Sequence, residues 1–220
     1  MTDRFADSTR VYQGATRGDL RDRVDALHRL MIGVEPDRTL VIDLDPQASL
    51  TFSLGIDPDV VELSTHEVVI GQADIADAIV EASEGIDILP ASIDLAGSEA
   101  QLLTRPGREF VLQSVIDEVR DDYGVILLDC SPSLGVLTLA ALTAATGVII
   151  PMQAEMLSHR GVGQLLDTVR DVRRLLNKKL KVIGILPTMY DGRSNHSREV
   201  LADLAAKLLG YTPTQIGRHT

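Results

Sequence analysis

A three-layer α/β fold, a mostly parallel sheet with helices on both faces, is what this sequence predicts, and three observations carry the prediction. The runs at 39–44, 125–128, 148–151 and 182–186 are apolar almost throughout rather than alternating, as strands covered on both faces are. Helical patterns separate these runs, so crossovers rather than hairpins must join them. Apolar residues make up 45% of the 220 and aromatics only 3%, so the core is built from Leu, Val, Ile and Ala.

The elements follow in order. Residues 1–38 carry the weakest pattern. Gly14 to Arg21 is polar and crowded with charge; Val24, Leu27, Leu30 and Met31 then fall at helical spacing, and Pro36-Asp37 ends that helix before the first strand. Residues 50–54 read as a short helix or turn, and 74–80 as a small helix opened by an acidic cap. Residues 86–89 form a short strand closed by Pro90. Helices at 95–103 and 110–119 lead into the strand at 125, and a helix at 134–145 leads into the strand at 148. The segment 163–176 is a strong helix with Leu165, Leu166, Val169, Val172, Leu175 and Leu176 on one stripe. Val200, Leu201, Leu204, Ala205, Leu208 and Leu209 mark a last amphipathic helix. The length suits one domain across 1–220.

Composition excludes several functions. So few aromatics argue against recognition of single strands by base stacking. The single cysteine, Cys130, excludes an intramolecular disulfide and fits a reducing compartment. No apolar run approaches a membrane span and the first ten residues hold no signal-peptide core, so a cytoplasmic protein without membrane contact is expected. The net charge of −11 opposes DNA on average. Against that mean, Arg170, Arg173, Arg174, Lys178, Lys179 and Lys181 cluster, and the three arginines share a helix face. Taken locally, the cluster reads as a solvated helix end whose cations favour the C-terminal dipole.

Chemistry enters at the strand ends. One strand runs into Asp43-Leu44-Asp45-Pro46-Gln47, and another ends in Asp129-Cys130-Ser131-Pro132-Ser133. Right-handed crossovers bring strand C-termini to one edge, so Asp45, Asp129, Gln153 and Thr188 should meet where ligands bind in such folds. Two carboxylates delivered there suggest a nucleotide with magnesium between them.

Five blocks in order then become specific: Asp43 to Ser49; Leu89-Pro90-Ala91-Ser92 with Asp94 to Gly97; Leu128 to Gly135; Ile150 to Glu155; and Leu186 to Arg193. Over roughly 40–204 the chain resembles the ParA family of chromosome- and plasmid-partitioning ATPases, which have the P-loop NTPase fold. MinD, the cell-division relative, is less similar because it lacks a block like Met189 to Arg193. The resemblance implies ATP and magnesium as cofactors, a sandwich dimer closed by ATP, nonspecific DNA binding by that dimer, nucleoid association, and a ParB-type centromere-binding partner that stimulates hydrolysis. It implies that Asp45 positions or activates the attacking water, that Asp129 holds magnesium through water, and that Asp43 is the neighbouring acidic position. Met189, Tyr190 and Asp191 match a segment near the nucleotide base. Arg193 matches a DNA-contacting position, and Arg170, Arg173, Arg174, Lys178 and Lys179 become a second DNA-facing candidate.

The pattern breaks at both ends. The family's phosphate loop, K-G-G-V-G-K-T-T, should fall at 16–23, where the chain reads Thr16-Arg17-Gly18-Asp19-Leu20-Arg21-Asp22-Arg23. Gly18 matches a loop glycine, and Arg21 stands where the lysine is expected. The other glycines and the magnesium-binding threonine are absent, and the first lysine of the chain is Lys178. Without glycine the backbone presents few amides to phosphate, Asp19 and Asp22 repel it, and a planar guanidinium replaces a compact point charge. Beyond Leu204 the family's further strand and its adenine-side element are missing. The expectation is impaired ATP binding and hydrolysis, with the first strand lost along with the loop, in a degenerate paralogue or through frame changes at both ends, which the abrupt breaks favour over a chain that functions through an unusual site. The alternative is a non-enzymatic scaffold that binds a ParB-type partner or an intact ParA subunit, which would supply the loop.

Other candidates reduce to structure. Cys130 follows a buried strand and reads as a packed residue. The five histidines show no ligand spacing. Ser194 and Ser197 read as helix caps, and Glu155 is either a dimer contact or solvated.

Overall fold

The computed structural model describes residues 9–13, 38–153 and 159–188. Seven strands form one sheet: β1 (Thr9–Gln13), β2 (Thr39–Leu44), β3 (Val80–Ser83), β4 (Ile86–Leu89), β5 (Val125–Cys130), β6 (Gly147–Gln153) and β7 (Lys181–Thr188). Their order is β3-β4-β2-β5-β1-β6-β7. Every pairing is parallel except β3 with β4. The predicted α/β class with a mostly parallel sheet is therefore what forms.

The described helices are α1 (Ser49–Ser53), α2 (Thr65–Ile70), α3 (Ile75–Ala78), α4 (Leu95–Leu103), α5 (Val111–Asp117), α6 (Val136–Ala144) and α7 (His159–Leu175). Strand alternation divides the core into two. Leu40, Ile42, Leu44, Ile126, Leu128, Val148 and Ile150 pack with α2, α4, α5, α6 and α7. Val41, Ile88, Leu127 and Ile149 face the other side, where Leu50 of α1 joins them. Both faces of the central strands are thus apolar, which is why those strands read as unbroken hydrophobic runs.

Several expectations are corrected. The first strand is not lost: Thr9–Gln13 lies between β5 and β6 at the centre of the sheet. It is hard to read because a polar run surrounds so short a strand. The helix expected at 74–80 ends at Ala78, and Val80 opens the antiparallel edge strand β3. Helix α2 carries no strong apolar period, and its start is set instead by a capping box in which Ser64 and Glu67 exchange hydrogen bonds. Leu175 turns outward at 70% exposure, while Leu165, Leu166, Val169 and Val172 are buried as the stripe requires. The helices expected at 24–31 and 200–209 lie outside the described residues.

Short connections are held by side chains. Asn177 donates to the carbonyls of Leu142 and Ala145, closing the C-terminus of α6. At the opposite edge of β2 and β4, Arg38 pairs with the buried Asp87 at 2.6 Å and lies 5.3 Å from the centre of the Tyr123 ring.

Candidate functional site

Parallel pairing puts the C-termini of β1, β2, β4, β5, β6 and β7 on one edge. In the β2–β5 register Asp43 is the partner of Asp129, and on its other side Asp129 is the partner of Tyr12 in β1. Asp43 and Asp129 therefore point to the same face of the sheet, the face that α1 covers. Asp45 follows two residues beyond Asp43, where β2 has ended. Gln153 and Thr188 are register partners at the same edge. The backbone thus gathers the strand-end positions as the sequence predicts.

Each carboxylate has its own environment. Asp43 is fully buried. One of its oxygens accepts from the Thr51 amide at 2.9 Å and the Thr51 hydroxyl at 2.7 Å; the other accepts from the Asp45 amide at 3.1 Å. Burial outweighs these bonds and pushes the Asp43 carboxyl up to about 6. Both oxygens serve the protein, so Asp43 is an anchor for the turn. Asp45 is only partly buried. Its carboxylate accepts from the Gln47 amide at 2.9 Å, and its carbonyl accepts from the Ala48 amide at 2.8 Å. This Asx turn is closed by Ala48 in the left-handed region, with φ of 50°, a conformation that costs a non-glycine residue.

The second turn is held differently. The Thr138 hydroxyl of α6 donates to the Ser133 carbonyl at 2.7 Å. Gly135 begins α6, and the Glu99 carboxylate of α4 lies against the position a Cβ would occupy there. An added Cβ there would require the end of the Glu99 side chain to move aside. Glu99, Pro46, Ser131 and Ser133 line a cavity of about 60 Å³ between the two carboxylate-bearing turns. Cys130 is buried, and burial raises its thiol well above the usual range, which leaves it a packing residue.

The set fits a magnesium–nucleotide pair. Magnesium is commonly held by one or two carboxylates together with phosphate oxygens and water. Asp45 and Asp129 supply that number, and among the described residues no group of three acidic, histidine or cysteine side chains forms a protein-only cage. Gly18, Arg21, Met189, Tyr190, Asp191, Arg193 and Glu155 lie outside the described residues. Residues 16–23 also lie outside the described residues; in sequence they follow β1, whose Tyr12 is the register partner of Asp129.

The basic cluster sits at the C-terminal end of α7 and the turn after it. Arg170, Arg173, Arg174, Lys178 and Lys179 are all exposed. Arg170 pairs with Asp167 at 2.8 Å and Arg174 with Asp171 at 3.1 Å. Six cations face two carboxylates between 167 and 181, so the patch stays positive on a negative molecule. Sequence reasoning passed over Thr51, which holds the first turn through Asp43, and Glu99, which lies against the second; a threonine eight residues past Asp43 gives no signal until the chain is folded.

Comparison with known proteins agrees with this fold. The family model for an AAA domain matches residues 29–182. Sporulation initiation inhibitor protein Soj of Bacillus subtilis is 40% identical over 168 residues, covering 76% of this chain and 66% of Soj. Chromosome partitioning protein ParA of Caulobacter vibrioides is 38% identical over 173 residues, covering 77% of this chain and 65% of that protein. The match thus spans slightly under two thirds of these relatives' length. The crystal structure of cobyrinic acid a,c-diamide synthase from Mycobacterium smegmatis with bound ATP analogue and magnesium superposes with a TM-score of 0.81 at 46% identity, covering 92% of this chain and 83% of that one.

Proposed function

Because this chain belongs to the ParA family of AAA-domain proteins, we propose that it is a chromosome- or plasmid-partitioning protein of the ParA kind, dimeric with ATP and impaired in binding and hydrolysing it by its own phosphate-loop sequence. The observation that carries this reading is the β2–β5 register, which sets Asp129 beside Asp43 and beside the strand that leads into the loop. In this reading Asp45 orients the attacking water, Asp129 holds magnesium through water, and Asp43 holds the Asp45 turn. Magnesium supplies neutralisation of phosphate charge, the main demand of phosphoryl transfer. Arg21 and Gly18 stand in for the phosphate loop, and Met189, Tyr190 and Asp191 border the base. Arg193 and the patch of Arg170, Arg173, Arg174, Lys178 and Lys179 serve nonspecific DNA, weakly and with strong salt dependence. A ParB-type protein is the partner, and the protein acts at the nucleoid within the cytoplasm.

Calorimetry of ATP with magnesium on the purified chain tests this, with Asp45→Ala as control. Weak binding that the substitution alters supports it. Tight binding would overturn the impairment.

A second reading is favoured by one observation, the absence of any lysine before Lys178. The chain is then a scaffold that docks a ParB-type partner or an intact ParA subunit. A folded protein that binds no ATP but co-purifies with an intact ParA subunit would establish it.

A further inference from the structure

We infer that Thr51 is a positioning residue, which through the Asp43 carboxylate fixes the backbone at Asp45 and ties it to the turn after β4. The inference rests on the reading of Asp45 as the residue that orients water.

Thr51 is fully buried, in a helix of only five residues. Its hydroxyl is used twice: it donates to Asp43 at 2.7 Å and accepts from the Ala91 amide at 2.9 Å. Its own amide donates to the same Asp43 oxygen at 2.9 Å. The other Asp43 oxygen takes the Asp45 amide at 3.1 Å. A continuous chain of hydrogen bonds thus runs from the amide of Ala91, through Thr51 and Asp43, to the amide of Asp45. A second strut runs parallel to it. The Thr65 hydroxyl lies 2.9 Å from the Asp43 carbonyl and 3.1 Å from the Pro90 carbonyl, and the Thr65 amide donates to Pro90 at 2.8 Å.

These contacts have a directional consequence. Asp45 lies beyond the last β2 residue, and among the described residues its backbone is held by the Asx turn and by Asp43. Asp43 can hold it only while its carboxylate is itself held, and three of the groups around that carboxylate come from Thr51 and Asp45. A buried carboxylate that loses a donor pays heavily, because no water replaces it. Removing the Thr51 hydroxyl therefore releases the Asp43 rotamer and, with it, the Asp45 amide. It also strands the Ala91 amide. Serine keeps both hydrogen bonds and loses only a methyl group.

The test uses the full chain as Thr51→Val, Thr51→Ser and Asp43→Asn, read by amide hydrogen exchange resolved at Asp45, Gln47 and Thr51. Thr51→Val is expected to speed exchange at Asp45 and Gln47 at least tenfold while exchange within α7 stays unchanged, and Thr51→Ser is expected to restore it to within about twofold. If Thr51→Val fails to fold, Asp43→Asn must show the same local acceleration. In ATP turnover by the same chain, Thr51→Val should lower kcat with KM unchanged and Thr51→Ser should recover it. Wild-type exchange at Asp45 in Thr51→Val or Asp43→Asn, or no recovery with serine, overturns the inference. Loss of the function reading looks different: Asp45→Ala leaves ATP binding and turnover unaltered while the exchange series still responds as described.

Discussion

The Tyr123 hydroxyl donates a 2.9 Å hydrogen bond to the buried carboxylate of Asp87, and the same carboxylate oxygen takes the Arg38 guanidinium. One residue ahead of β2, one inside β4 and one just before β5 are thereby joined at the edge opposite the candidate site. Burial and the Asp87 bond push the Tyr123 phenol up to about 12. A phenol raised above its unfolded value near 10 contributes stability below that pH and loses it as pH rises through the folded value. Urea denaturation of the parent chain should therefore show falling stability between about pH 10 and 12. Tyr123→Phe should cost about 1–3 kcal/mol at pH 8 and flatten that fall.

Asp43 makes the opposite edge pH-sensitive in the acid range. Its carboxyl, raised to about 6, binds a proton more readily folded than unfolded. The contribution is present below the unfolded value near 4 and is lost as pH rises through 6. Asp43→Asn should remove this dependence, so its stability relative to the parent should improve by up to about 3 kcal/mol from pH 4 to pH 7. Paired denaturation curves at the two pH values measure it.

The left-handed Ala48 leaves little freedom for larger side chains. It is buried at the start of α1, with φ of 50°. Ala48→Val adds a branched side chain where both backbone and space resist it, and should destabilise by about 2 kcal/mol or more. Thermal melting is sufficient to see it, since about 1 kcal/mol moves the midpoint of a chain this size by roughly 2–4 °C.

Gly135 and Glu99 make a reciprocal pair. Gly135→Ala places a methyl group where the Glu99 carboxylate lies, so the flexible end of that side chain must move aside, at a cost of about 1 kcal/mol or less. Adding Glu99→Ala should recover most of that loss. A double-mutant cycle by denaturation checks it, and additive losses would show that the two residues do not contact each other.

Charge reversal at Arg173, Lys178 and Lys179 tests the basic patch. If the patch meets DNA, the triple substitution should weaken binding at low salt by at least about tenfold and reduce the salt slope by about three. Fluorescence anisotropy with a nonspecific duplex measures both.

What could be read before folding followed from the physics of each segment. The strands β2, β5, β6 and β7 were legible because burial on both faces forces unbroken apolar runs. Asp45 and Asp129 were placed correctly at one edge because parallel topology leaves no other arrangement. Strand β1 was missed because five residues with an arginine and a glutamine at Arg10 and Gln13 do not look central. Helix α2 was missed because its capping box, not its period, starts it. The role of Asp43 was illegible for another reason. Whether a strand-end aspartate faces a ligand or the core depends on which donor the next turn brings, and Thr51 is known as that donor only from the folded chain.

Cys130 sits in register with Leu44 on one side and Gln13 on the other, sealed within the edge where the two carboxylate turns emerge. It is the one thiol in the chain. A reagent added from solution must wait for that edge to part, so the rate at which a single label is taken up counts the openings of the sheet beside Asp129. The protein thus carries its own clock, readable without any engineered probe, and a ligand that clamps the edge would slow it.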